Sequence, residues 1–146
     1  MTITEVVMAA VVAGIIMGIV TEIGCRAGII RANLLLIDGE FALNLAGSKP
    51  EKGLIYLSGI VVHLVTSASF GAVFFVLTKT LNIDASSINV ILLYVLALWL
   101  SMLFIALPAA GHGMLGRRLG DSIWVEQLIL HVVFALGLWA MLNVFH

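Results

Sequence analysis

The sequence predicts an all-α integral membrane protein: four transmembrane helices, with an amphipathic interfacial segment between the first and second. Three observations predict it. Four long apolar runs fill most of the 146 residues. Nearly every charge falls in the gaps between those runs. The composition is 62% hydrophobic and 10% charged, with a mean hydropathy of +1.21. Soluble domains carry about a quarter charged residues. A hydrocarbon core about 30 Å thick takes about 20 residues of helix to cross. Membrane barrels would instead show alternating segments of about ten residues. The single domain, residues 1–146, divides into helices over approximately 4–25, 54–78, 87–108 and 122–145.

The first helix grows from the run Val6 to Gly24. The five residues before it lack the positive stretch of a secretory signal, so the run reads as a retained helix. Ala10, Gly14 and Gly18 recur every four residues, a flat ridge on which a bundle neighbour or a second chain can pack. Gly24 and Gly28 extend the spacing. Glu22 and Arg26 stand at i and i+4, where an ion pair is expected; a proton relay toward a membrane histidine is the sharper alternative. Cys25 is the only cysteine, so it forms no intramolecular disulfide and reads as a packing residue.

The connection from Arg26 to Gly53 is long and greasy, with Leu34, Leu35, Leu36, Ile37 and Phe41 among its apolar residues. It reads as a short amphipathic helix in the interface, broken at Asp38-Gly39 and covering the end of the bundle. The second helix, from Leu54 to Leu77, carries His63 within a stripe of small residues: Gly59, Ser67 and Gly71. The third runs from Ile88 to Leu107 and ends at Pro108 and the glycines beyond it. His112, between two of those glycines, reads as an exposed loop residue. Asp121-Ser122 offers a cap for the fourth helix. Glu126 suits that helix's positive end, and His131 lies deeper. Tyr56, Trp124 and Phe145 suit the membrane interfaces. His146 reads as solvated.

Charge sets the expected topology. Arg26, Arg31, Lys49 and Lys52 lie between helices 1 and 2, and Arg117 and Arg118 between helices 3 and 4; only Lys79 marks the remaining turn. By the positive-inside rule the two longer connections face the cytoplasm, and both termini lie outside it. A bacterial inner membrane is the expected location.

A shift of 68 residues lays Ile60-Val-Val-His-Leu-Val65 over Leu128-Ile-Leu-His-Val-Val133, which suggests a two-fold internal repeat. With His63, His131 and the Leu34-to-Gly47 segment in this arrangement, the chain resembles a group of small uncharacterised bacterial four-helix membrane proteins. In that group a histidine-bearing helix closes each half. The resemblance implies the four-helix fold and brings no activity with it.

His63 and His131 each lie eight to ten residues into helices that start from the same side, roughly 12–15 Å deep at the helical rise. Two imidazoles at one level could ligate a haem b or another tetrapyrrole, with the face beside Gly59 accommodating the macrocycle. They could also hold copper or another transition metal. The structural alternative is that each ring bonds a neighbouring helix.

Net charge is −1, which excludes a basic nucleic-acid surface. No phosphate loop, zinc-spaced Cys/His set or nucleophile elbow points to soluble-type enzymology. The expected function is that of a structural or accessory subunit, in a larger membrane assembly or a homo-oligomer. The alternatives are a bis-histidine electron-transfer subunit, and a small-solute or ion transporter using the hydroxyls of Thr66, Ser67 and Ser69.

Overall fold

The computed structural model describes residues 1–47 and 51–145; Lys49, His146 and the side chain of Phe145 lie outside what is described. Among the described residues the regular structure is helix, with no strand. Helix α1 spans Ile3–Arg26, α2 Leu34–Leu45 and α3 Lys52–Thr80. Helix α4 spans Ile88–Ala109, a 3₁₀ turn covers Met114–Gly116, and α5 spans Ile123–Phe145. All but α2 have the length and hydropathy to cross a bilayer, so the protein is a polytopic helical membrane protein.

Helix α1 begins with a capping box. The Thr2 hydroxyl accepts from the Glu5 backbone N–H, and the Glu5 carboxylate accepts from that of Thr2. It ends where Gly28 takes φ +71°, which lets the N–H of Ile29 bond back to the Gly24 carbonyl. That reversal returns the chain toward the bundle. Asn33 then caps α2, its side chain accepting from the Leu35 N–H at 2.9 Å.

In α1 the two faces differ in size more than in polarity. Ala9, Ala10 and Ala13 are fully buried, whereas Ile15, Ile19 and Ile23 are 43–62% exposed toward lipid. Lipid tails are as apolar as any core, so close backbone approach decides which face packs. The ridge Ala10, Gly14, Gly18 is met by Gly71, Ser67 and His63 of α3 in turn. Four residues forward on α1 match four backward on α3, so the pair is antiparallel. Helix α5 is antiparallel to α1 as well: Gly137 packs on Ala13, and Glu126 lies at the Arg31–Ala32 end. Helices α3 and α5 therefore run in the same direction.

Helix α2 is continuous through Asp38-Gly39. The expected break is absent because Gly39 serves close approach instead of a turn. A Cβ there would run into the Ile55 carbonyl, and one at Gly59 into the carbonyl of Leu35. The two glycines let α2 lie backbone to backbone along α3, antiparallel to it. The first turns of α2 are buried at Leu34, Leu35 and Ile37.

Helix α4 packs on α5, where the Trp99 indole donates to the Trp124 carbonyl at 3.0 Å. Near the turn that joins α3 to α4, the Tyr94 hydroxyl donates to the Phe70 carbonyl at 2.8 Å. Over Met102–Ala106 helix α4 widens into a π turn, with Leu107 N–H bonding the Met102 carbonyl. Pro108 follows directly and offers no N–H, and its ring crowds the carbonyl one turn back. A widened turn is how the helix absorbs that.

A polar cavity between α3 and α4

Between α3 and α4 lies a half-open cavity of about 230 Å³. Its polar lining comes from Asp38 of α2, His63, Thr66 and Ser67 of α3, Ser101 of α4 and His131 of α5. Met17, Phe41, Phe70 and Phe134 are among its apolar walls. The two histidines share a level. His63 lies opposite Gly18, and Gly137 opposite Ala13 puts His131, six residues earlier, beside position 19 of α1.

Both nitrogens of His63 are engaged. Nε2 lies 2.9 Å from the Gly14 carbonyl, and Nδ1 lies 2.9 Å from Asp38 Oδ2. A carbonyl can only accept, so Nε2 carries a proton. The line from Nδ1 to Oδ2 then holds one further proton, on the acid or on the ring. In both arrangements the pair is neutral as a unit, which suits a site facing hydrocarbon. Burial raises the Asp38 carboxyl above the usual carboxylate range, and His63 acts in the opposite direction.

His131 is held differently. Its Nδ1 donates to the Gln127 carbonyl of its own helix at 2.7 Å. Nε2, which has no hydrogen-bond partner among the described residues, holds a lone pair in the neutral ring. The hydroxyls also turn their protons inward to helix carbonyls: Thr66 to Val62, Ser67 to His63 and Ser101 to Leu98, at 2.7–2.8 Å.

Each remaining residue singled out in the sequence has a place. Ala10, Gly14 and Gly18 pack on α3 within the chain. Glu22 joins Arg26 at 2.7 Å, Asn33 at 3.0 Å and Tyr56 at 3.1 Å, clasping α1 to α2 and α3. An open groove between α1 and α3 connects Glu22 and Arg26 with His63. His112 pairs with Glu40, tying the second connection to α2. Glu126 accepts from the Arg31 and Ala32 backbone. Ser69 bonds its own helix at the exposed surface.

A bis-histidine tetrapyrrole does not fit these residues. His63 has no free ring nitrogen, and α2 backbone fills the face beside Gly59. The cavity also falls below the range of about 300–1,000 Å³ usual for organic ligands and cofactors. Among the described residues, no three His, Cys, Asp or Glu side chains gather to hold a metal ion.

Sequence reasoning missed Asp38 and Ser101. The available signal for Asp38 was an acid in the middle of an apolar twelve-residue stretch that opens with an Asn cap. Ser101 had only its place in a hydrocarbon-spanning run. Comparison with known protein families, with curated proteins and with solved structures returns no match for this chain.

Proposed function

We propose that this protein is a small membrane carrier, and that the cavity between α3 and α4 is the site a small polar solute enters. One observation carries the reading: six polar side chains from four helices converge on one cavity at the depth of the histidines. Polar groups in hydrocarbon are costly and mark solute or proton pathways. Transporters place such groups near the midplane beside irregular helices, and the π turn of α4 supplies the irregular wall through Met102, Ile105 and Ala106. The cation-rich connections face the cytoplasm in this reading, by the positive-inside rule. An accessory-subunit role rests on outward apolar faces that lipid covers equally well, so no observation favours it specifically.

The test is solute entry into proteoliposomes, followed by stopped-flow light scattering with urea, methylammonium and formate. At least one solute should enter faster than into protein-free vesicles. Ser101→Phe, which fills the cavity, should abolish the difference. Rates equal to those of empty vesicles, or indifferent to the filled cavity, would remove the carrier reading.

A further inference from the structure

We infer that the cavity selects a small protonated amine, ammonium or a monoalkylammonium, because the polar atoms that its lining residues leave unspent are hydrogen-bond acceptors. The role assigned to this ligand rests on the carrier reading; its chemistry rests on the lining alone.

The donors are all used elsewhere. Thr66 and Ser101 give their hydroxyl protons to helix carbonyls and keep lone pairs on the oxygen, whereas the Ser67 oxygen packs against Gly14 of α1. His63 gives Nε2–H to Gly14. His131 gives Nδ1–H to Gln127 and keeps the Nε2 lone pair. Asp38 engages Oδ2 with His63, and Oδ1 has no hydrogen-bond partner among the described residues. Oδ1 accepts whether the shared proton sits on the acid or on the ring. No Lys, Arg, Asn, Gln, Trp or Tyr side chain lines the cavity.

An anion finds a donor here only by turning a hydroxyl away from its helix carbonyl. Neutral acceptors such as ketones fare no better. A solute with several N–H groups meets a partner in each direction, and acceptor dipoles aimed inward stabilise positive charge, as carbonyl rings do in cation filters. The rings of Phe41, Phe70 and Phe134 add faces that attract cations.

The test is calorimetric titration of the protein in lipid nanodiscs with three probes: methylammonium, tetramethylammonium and formate. Methylammonium should bind saturably. Tetramethylammonium keeps the charge and loses every N–H, so it should bind at least roughly tenfold more weakly. Formate should not bind. Thr66→Val and Ser101→Ala each delete one acceptor that bonds only its own helix, and each should weaken methylammonium roughly tenfold with the thermal transition retained. The inference is overturned by tetramethylammonium or formate matching methylammonium, by no saturable methylammonium binding, or by unchanged affinity in both variants. Methylammonium binding without vesicle flux would retire the carrier role and leave the ligand chemistry standing. Flux of another solute without methylammonium binding would do the reverse.

Discussion

His63 and His131 occupy the same depth on parallel helices, yet they are held in opposite ways. In the first half, α2 folds back and brings Asp38 to one nitrogen of His63, while α1 brings the Gly14 carbonyl to the other. In the second half, among the described residues, a 3₁₀ turn stands where a helix equivalent to α2 would lie. His131 is left with its own helix as partner. Nearby, Gln127 and Thr21 are fully buried, and among the described residues their side-chain polar atoms have no hydrogen-bond partner. One half is a closed polar clamp, and the other leaves acceptors open. Similar sequence around a histidine thus produced a strut in one place and an open lone pair in the other.

The largest expected effect breaks the clamp. Asp38→Ala leaves the imidazole Nδ1 unpaired inside the bundle, and an unmet buried hydrogen-bonding group together with the lost side-chain packing costs about 3 kcal/mol. Reversible unfolding in mixed micelles should show that loss, and Asp38→Asn, which can still donate to Nδ1, should recover most of it. Equal losses in the two variants would mean that the shared proton sits on the ring, so that an ionic pair holds α2 in place.

Gly59→Ala should come next. The added methyl meets the Leu35 carbonyl, so α2 must move off α3 at a cost of about 1–3 kcal/mol. Crosslinking between cysteines placed on α2 and α3 should drop in parallel.

In the second half the sign reverses. Gln127→Leu replaces an amide with no partner by an apolar group of similar size, which should stabilise by about 1–2 kcal/mol. A loss of stability would show that the amide has a partner in the membrane, with ordered water the first suspect.

The mildest change is His131→Phe. It removes a hydrogen bond within one helix and should cost under about 1 kcal/mol in the same unfolding assay. Without any substitution, nitrogen NMR should find His131 protonated at Nδ1 and His63 protonated at Nε2. A common tautomer for the two rings would erase the contrast between the halves.

Much of this is legible in the amino-acid sequence. The four spans follow from runs of apolar residues too long for anything but a bilayer crossing. The ridge of Ala10, Gly14 and Gly18 announced close packing, and Glu22 does pair with Arg26. The site was less legible, because its defining acid is local to neither histidine. Asp38 lies 25 residues before His63, and only the reversal at Gly28 and the close contact of Gly39 with α3 bring them together. A hydropathy pattern records which residues tolerate lipid. It is silent on the rotation of a helix whose faces are all greasy, so the orientation of His63 and His131 about their axes could not be read. The π turn was hidden for the same reason: Met-Leu-Phe-Ile-Ala looks like any other stretch of span, and its cause, Pro108, read only as a stop signal.

That widened turn in α4 has its own consequence for the chain's history and for its engineering. Relative to a regular helix it holds an extra residue, so the segment after it is rotated as though one amino acid had been slipped into an ordinary span. Deleting Leu103 would rewind the stretch and swing Ile105 and Ala106 to new azimuths. A variant one residue shorter would then cross the membrane just as well while presenting an altered wall to whatever enters.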